Sequence, residues 1–245
     1  GKTAGLATFA QGIMDVYTPE QAKMFVISPD NALAQYVPSE YLGRYQLREY
    51  AGDGMPRAAT GKLVDGYVSR EDQILDLDAH LQEVLTPRLR PDDATQDEIA
   101  SGHRRWQGPE IFVLVDNEET LETWQTASAG WGTPFALQNV ANLVGRADEV
   151  GLHVIVARRI DEWPRGEYTP LMRALKQQQS PGLVMAGSRN EGVILRSTFA
   201  ADQPAGRGVY VTRAVVAPAQ FALPDPVGSV PRWRSRQGST PGGEL

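Results

Sequence analysis

The sequence predicts an α/β domain with a mostly parallel sheet that is covered by helices on both faces. Short apolar runs rich in β-branched residues recur along the chain, and helical patterns lie between the central ones. The runs are continuous, which is typical of strands that are buried on both faces. Helices that alternate with such strands indicate a parallel α/β sheet. A chain of 245 residues is long enough for one domain of this kind.

Five apolar runs are predicted as strands, because each is bounded by turn residues and contains few polar groups. They lie at residues 24–27, 111–115, 152–157, 183–186 and 209–216. The central runs are separated by helical patterns, so their strands are expected to run parallel to one another.

Two segments show the 3.6-residue period of a helix with one buried face. Apolar residues recur at this period over residues 134–150, and Gly151 stands just past the end, where helices commonly stop. In the other segment Ser69 is followed three residues later by Asp72. This spacing suggests a capping-box-like start to a helix that runs towards Pro87.

Polar stretches predict the limits of the domain. Residues 86–109 contain several prolines and glycines, so they are predicted to form an exposed loop. From residue 224 onward the composition turns to Pro, Gly, Ser and Arg, with no period that would bury a face. The sequence therefore predicts one domain over residues 1–223 and a disordered tail over residues 224–245.

Composition and charge disfavour several kinds of site. The chain has 24 Lys and Arg against 30 Asp and Glu, and its net charge of −6 disfavours a nucleic-acid partner. It contains no cysteine and three scattered histidines, so neither a disulfide framework nor a thiolate or histidine metal site is expected. No apolar run approaches the roughly 18 to 20 residues that span a bilayer, and no signal peptide is recognisable.

The first three residues, Gly1, Lys2 and Thr3, match the end of a P-loop, the phosphate-binding loop between a strand and a helix. In a P-loop the Lys reaches the terminal phosphates and the hydroxyl binds Mg²⁺. The apolar stripe that follows suits the helix that a P-loop opens, and helix N-termini favour phosphate. We therefore expect the chain to begin inside a longer polypeptide, although the tripeptide alone also fits a chance match.

A second candidate element is the apolar strand that ends at Asp116. An Asp at such a strand end orders the Mg²⁺ shell beside a P-loop, although any buried parallel strand can end at an Asp. The order Lys2, Thr3 and Asp116 favours the functional interpretation, because two parts of one site follow in the proper sequence. The next residue is Asn117, whose amide cannot act as a general base.

Two further pairs of residues each have a functional and a structural interpretation. Arg158 and Arg159 end the strand at 152–157, where P-loop motors place polar groups that sense the γ-phosphate. Such a pair could also contact a neighbouring subunit or be solvated surface. Trp124 and Trp131 flank a loop and would form a ledge for a peptide or pack in the core.

Ordered motifs along the chain carry a family resemblance. They are YTPEQAK at residues 17–23, GPEIFVLVD at 108–116, EVGLHVIVARR at 149–159, SPGLVMAG at 180–187, AGRG at 205–208 and VTR at 211–213. In order and content they resemble the FtsK/SpoIIIE-type ATPase domains of EccC, a component of ESX (type VII) secretion systems. The matches extend from residue 1 to about residue 223.

The resemblance implies a RecA-like P-loop fold, ATP and Mg²⁺ as ligands, and a hexamer at the cytoplasmic face of the inner membrane. The implied partners are other EccC ATPase domains, ESX membrane components and secreted WXG100-type proteins. The nucleotide-binding residues that carry over are Gly1, Lys2, Thr3, Ala4 through its backbone N–H, Asp116 and Asn117. Thr3 and Asp116 are the residues assigned to the metal.

The chain departs from an active motor of this family at two positions. Asn117 stands where active relatives carry Glu or Asp, and Arg158 stands where FtsK relatives often carry an uncharged polar residue. Glu118 and Glu119 follow, and either would need a shifted backbone path to replace the missing base. These departures indicate a degenerate domain, and the resemblance implies a C-terminal one. Such a domain is expected to bind Mg·ATP with weak or absent hydrolysis and to contribute to substrate recognition and export. A fully active export ATPase and an FtsK-like DNA translocase are the alternatives, and the acidic charge balance places the translocase last.

Overall fold

The computed structural model describes residues 1–50, 56–101, 104, 106–121, 135–163, 169–222 and 224–227. Trp124, Trp131 and residues 228–245 of the predicted tail lie outside these ranges. Within them, no helix is both long enough and apolar enough to cross a membrane.

The described α-helices all lie before residue 178 and are interspersed with strands. In chain order the helices are α1 (Lys2–Val16), α2 (Glu71–Leu85), α3 (Gln96–Ser101), α4 (from residue 118, described to 121), α5 (Gln138–Leu143), α6 (Ala147–Val150) and α7 (Pro170–Gln177). The strands are β1 (Ala22–Ile27), β2 (Arg44–Tyr50), β3 (Pro56–Asp65), β4 (Tyr67–Val68), β5 (Glu110–Asp116), β6 (Leu152–Ala157), β7 (Gly182–Met185), β8 (Val193–Leu195), β9 (Thr198–Phe199), β10 (Arg207–Val211) and β11 (Val216–Gln220).

A parallel sheet of four strands forms the centre of the domain, which confirms the predicted fold class. Its strand order is β4, β1, β5, β6. β5 is an inner strand, and the last six of its seven residues are buried. The continuous apolar run at Glu110–Asp116 is therefore explained by cover on both faces.

Helices cover the two faces of this sheet. On one face, Leu6 and Ala10 of α1 share an apolar core with Met24 and Leu114. On the other face, α2, α5 and α7 share a second core with the intervening strand residues, such as Val113. Adjacent residues of one strand thus point to opposite helix layers, as the alternating pattern of a parallel α/β sheet requires.

The prediction of one helix over residues 134–150 is wrong. The described part of that range contains α5, a 3-10 turn and α6. Asp78 of α2 accepts the N–H groups of Asn139 and Val140 at 3.0 Å and so fixes a new helix start there. Gly145 lies in the 3-10 turn, where a weak helix former favours a break. Gly151 ends α6 at a φ of 67°, as predicted.

The predicted capping box at Ser69 is also wrong. Arg70 is the residue that precedes α2, and its side chain makes no capping hydrogen bond. Ser69 stands one position too early for a capping box, and its N–H donates to the Gln73 side chain at 3.3 Å. Glu71 and Asp72 instead place two negative charges in the first turn, where they interact favourably with the positive end of the helix dipole.

The predicted loop at residues 86–109 contains ordered elements, a 3-10 turn at Thr86–Arg88 and α3. Arg88 is buried, and its guanidinium donates to the carbonyl oxygens of Pro109 and Val150 at 3.0 Å each. The same group lies 4.1 Å from the centre of the Trp106 ring. A buried arginine thus holds part of this segment against the end of the sheet.

A separate antiparallel sheet follows α7, with strand order β11, β10, β7. The run at residues 209–216, predicted as one strand, is divided between β10 and β11 by a turn. Thr212 makes this turn, because its N–H donates to the Val215 carbonyl at 2.8 Å and its hydroxyl accepts the Val215 N–H at 2.9 Å. β8 and β9 form a short hairpin beside this sheet.

A wide groove separates the two sheets. It is lined on one side by β6 and on the other by β7, and the described residues pair no strand with the edges that face each other. Gly1 and the α1 residues Gly5, Leu6 and Phe9 also line it. The groove encloses about 2300 Å³, more than the roughly 300–1,000 Å³ of a small-molecule pocket.

Candidate nucleotide-binding site

The candidate site lies at the carboxyl end of the parallel sheet, where α1 begins beside the end of β5. Gly1 precedes α1, and Lys2 and Thr3 are its first residues. The first N–H bonded within the helix is that of Gly5, which donates to the Gly1 carbonyl at 3.0 Å. The N–H groups of the first turn, including that of Ala4, precede this bond and favour an anion.

Thr3 and Asp116 are joined directly at this position. The Thr3 hydroxyl donates to Asp116 Oδ2 at 2.9 Å, and Asp116 is fully buried. Burial raises the pKa of Asp116, and the hydrogen bond from Thr3 opposes the rise. Asp116 Oδ1 is buried without a hydrogen-bond partner among the described residues. Since an unpaired buried oxygen is costly, this atom favours a donor such as a metal-bound water.

Asn117 continues the site from Asp116. Its φ of 70° lies in the left-handed region, which Asn tolerates better than most residues. Its carbonyl accepts the Thr120 N–H at 2.9 Å as α4 begins, and its side-chain Oδ1 is buried without a partner in the described structure. Two neighbouring residues therefore each present an unsatisfied buried oxygen at the end of β5.

Lys2 makes an ion pair with Glu119. The Lys2 ammonium contacts Glu119 Oε1, and the two side chains are 28% and 17% exposed. The second carboxylate oxygen, Oε2, accepts the backbone N–H of Arg159 at 3.4 Å. The residue predicted to hold the terminal phosphates is thus engaged by a carboxylate of the same chain.

Arg158 points into the protein and pairs with Glu118. The Arg158 side chain is 2% exposed and that of Glu118 is 1% exposed. The Arg158 guanidinium also donates to the Glu162 carbonyl at 2.6 and 2.9 Å, and the Thr169 hydroxyl donates to Glu118 Oε1 at 2.6 Å. Glu118 is therefore held by a cation and a hydroxyl, and in this position it cannot act as the catalytic base.

Arg159 faces outward, in contrast to its neighbour. Its side chain is 57% exposed, and its guanidinium pairs with Asp161, with Nε at 2.9 Å from Oδ1. Of the two arginines considered as a sensor or inter-subunit contact, only Arg159 therefore presents its charge at the surface.

The residues present suit Mg²⁺ brought by a nucleotide. Mg²⁺ takes oxygen ligands, keeps several waters and is commonly bound by one or two protein groups together with phosphates. The Thr3 hydroxyl would be a direct ligand, and the unpartnered Asp116 Oδ1 would accept a hydrogen bond from a metal-bound water. The Thr3 hydroxyl and the Asp116 carboxylate are therefore oxygen groups of the kind that Mg²⁺ and its bound waters require.

Two residues around this site, Asp30 and Thr169, were not predicted, and Glu119 was considered only as a replacement for the missing base. Asp30 lies near enough to Asp116 to raise its pKa, and Thr169 and Glu119 complete the contacts described above. Signals existed for two of them, because Asp30 follows a buried strand at the same sheet edge and Thr169 precedes a proline at a helix start. The pairing of Glu119 with Lys2 spans 117 positions and has no local signal.

The known proteins that are similar in sequence to this chain are EccC proteins of ESX secretion systems. No family model matches the chain. The ESX secretion system protein EccC of Thermomonospora curvata is 29% identical over 213 residues, which cover 87% of this chain and 14% of that protein. The ESX-5 secretion system protein EccC5 of Mycobacterium marinum is 30% identical over 235 residues, which cover 91% of this chain and 15% of that protein. The chain thus spans only a small part of the length of these relatives.

A solved structure agrees with the sequence matches. It is the structure of ATPases 2 and 3 of Thermomonospora curvata EccC in complex with a signal sequence peptide. It matches with a TM-score of 0.72 at 27% identity and covers 92% of this chain and 35% of that one. The RecA-like fold implied by the resemblance is confirmed. With sequence and fold similarity over almost its whole length, the chain belongs to the EccC ATPase domains, the FtsK/SpoIIIE-like ATPases of type VII secretion systems.

Proposed function

We propose that this domain binds Mg·ATP within a type VII secretion motor and hydrolyses it slowly or not at all. The observation that carries the proposal is the bond from Thr3 to Asp116, whose Oδ1 has no hydrogen-bond partner among the described residues. These atoms meet at the N-terminus of α1, where dipole and free N–H groups favour phosphate. The similarity to domains named ATPases supports a nucleotide as the ligand.

Each residue of the site has a role in binding. Lys2 would contact the β- and γ-phosphates, and the N–H of Ala4 would contact an inner phosphate. The Thr3 hydroxyl would leave Asp116 to bind Mg²⁺, while Asp116 holds a water of the metal shell. When bound, Mg²⁺ neutralises phosphate charge. Asn117 would hold water or phosphate through its amide.

Slow hydrolysis is expected because the carboxylates after Asp116 are engaged elsewhere. A general base must lie within hydrogen-bond reach of the attacking water and be free to take its proton. Asn117 is an amide, and Glu118 is held by Arg158 and Thr169. Glu119 stands two positions beyond Asn117, where its second oxygen accepts the Arg159 N–H even when a ligand takes Lys2. Binding of Mg·ATP depends on Lys2, Thr3 and Asp116. It would therefore persist although no base is present to assist the transition state of hydrolysis.

Calorimetric titration tests the binding half of this proposal. The protein is the domain with a complete P-loop placed before Gly1, and ATP is added in the presence and in the absence of Mg²⁺. We expect Mg²⁺-dependent binding that Lys2→Ala removes, while the exposed Lys62→Ala serves as a control. Equal heats in the parent and Lys2→Ala would refute nucleotide binding at this site.

The extent of the domain, residues 1–223, is a second part of the proposal. A strand leading into Gly1 would lie in the groove between β6 and β7, because no strand among the described residues pairs with either facing edge and Gly1 lines the groove. Such a strand followed by α1 and β1 is a βαβ unit. Hydrogen exchange should then show slower exchange at Val154 and Val156 when the upstream residues are present. Unchanged rates would contradict this placement.

Assembly with neighbouring EccC domains is proposed to involve Arg159, because its charge is exposed at the edge of the site. The assembly would be a hexamer at the cytoplasmic face of the inner membrane, joined to ESX membrane components. Arg159→Ala should weaken oligomerisation of the longer protein. Arg70→Ala is a matched control, because Arg70 makes the same kind of exposed pair with Asp72. Equal oligomerisation in both variants would exclude this role.

Substrate binding is a second candidate function, favoured by the relative that is solved with a signal sequence peptide. In this chain Val193 and Phe199 pair across the β8–β9 hairpin and are 48% and 40% exposed. Paired residues share a face, and the Arg189 guanidinium lies 5.0 Å from the Phe199 ring centre. This apolar ledge would take the amphipathic carboxy-terminal tail of a WXG100-type protein.

Titration with such a tail peptide tests the ledge. Phe199→Ser should weaken binding, whereas Phe135→Ser, which changes an exposed Phe outside the ledge, should not. No binding at millimolar peptide by the folded parent would remove the substrate-receiving function. Titration with duplex DNA in the same buffer tests the translocase alternative, which predicts steeply salt-dependent binding.

A further inference from the structure

We infer that Glu119 is the internal counter-ion of Lys2 and that a phosphate ligand must displace it, so that Glu119 sets the affinity of the site. The inference rests on the proposed nucleotide-binding function. The Lys2 ammonium contacts Glu119 Oε1. A P-loop lysine directs the same ammonium to the terminal phosphates, so the carboxylate and the ligand compete for one cation.

Several contacts hold Glu119 in this position. It lies in the first turn of α4, where the helix dipole favours a negative charge. Its second oxygen accepts the Arg159 N–H at 3.4 Å, and its side chain is only 17% exposed. The carboxylate is therefore placed between the P-loop lysine and the end of β6.

The surrounding charges strengthen the competition. Lys2 and the Arg159 side chain are both paired with carboxylates, of Glu119 and Asp161 respectively. Asp116 lies at the same edge, close enough for the charge of Glu119 to act on it. A phosphate that reaches Lys2 would thus displace Glu119 from the ammonium and would then meet the negative charge of Glu119 nearby. Removing the charge of Glu119 would relieve both effects.

The expected signature of Glu119→Gln is a gain in binding together with a loss in stability. Mg·ATP should bind on the order of five- to tenfold more tightly, because one partly buried charge interaction no longer has to be broken. The unliganded domain should melt at a lower temperature, because Lys2 loses its partner. A purely structural role for Glu119 would lower stability without tightening the binding.

Glu20→Gln is the matched control, because it also removes one negative charge but lies before β1, at the other end of the sheet. Calorimetry with Mg·ATP and thermal unfolding are measured for the parent and both variants, each with its P-loop completed. Tighter binding in Glu119→Gln alone supports the inference. Binding by the parent with equal or weaker binding by Glu119→Gln overturns it and leaves the proposed function intact. No binding by either protein overturns both.

Discussion

Replacement of Arg158 by alanine is expected to destabilise the domain by about 3–5 kcal/mol, because it leaves a buried carboxylate without its cation. The Arg158 and Glu118 side chains are 2% and 1% exposed, so water cannot replace the lost partner. The Thr169 hydroxyl keeps one hydrogen bond to Glu118, which does not neutralise the charge. The loss would be a large share of the roughly 5–15 kcal/mol of a typical domain.

Urea unfolding followed by circular dichroism measures this loss as the change in free energy of unfolding. Arg159→Ala is the matched control and should change that free energy by no more than about 0.5 kcal/mol, since Arg159 is exposed. Combining Arg158→Met with Glu118→Leu should cost less than Arg158→Ala alone, because no unpaired charge remains. Equal losses in Arg158→Ala and Arg159→Ala would refute the buried pair.

Three further predictions follow from single residues. Asp116→Ala should abolish the melting shift produced by Mg·ATP, which in the parent corresponds to about 2.7 kcal/mol at 100 times the dissociation constant; an equal shift in both proteins would exclude the role. Burial raises the pKa of Asp78 from the ordinary 3.8 to about 6. The folded state therefore favours the protonated form, whose stabilisation is complete below pH 3.8 and is lost as pH rises through 6. Asp78→Asn should make the free energy of unfolding less dependent on pH between 3.8 and 6. An unchanged pH dependence of urea unfolding would contradict this. Gly151→Ala should cost about 1–3 kcal/mol, because φ is 67° and the new Cβ would lie 2.4 Å from Trp106; a melting temperature equal to that of the parent would contradict it.

The parallel sheet could be predicted from the sequence because its strands are covered on both faces. Such strands are continuous apolar runs, and the predicted run at Leu152–Ala157 coincides with β6. The positions of Thr3 and Asp116 could also be predicted, because a helix start and a strand end meet at the carboxyl edge of such a sheet. Their contact at 2.9 Å agrees with that expectation.

The remaining features depend on contacts between distant parts of the chain. The predicted helix at residues 134–150 is broken partly because Asp78, on another helix, binds its N–H groups. The inward turn of Arg158 depends on Glu118, which lies 40 positions away. The β2–β3 hairpin was not predicted, although the fully buried Tyr45 gives it an inward-facing residue. Periodicity reports which face is buried and does not report which partner covers it.

A single-turnover experiment distinguishes nucleotide binding from hydrolysis at this site. Trace labelled ATP is mixed with excess domain, with its P-loop completed, in the presence of Mg²⁺. Bound nucleotide and released phosphate are then followed in the same samples, with Lys2→Ala as the control. We expect the label to be retained as ATP long after binding is complete. Rapid phosphate release that depends on Lys2 would show that Asn117 does not disable the site and would refute slow hydrolysis.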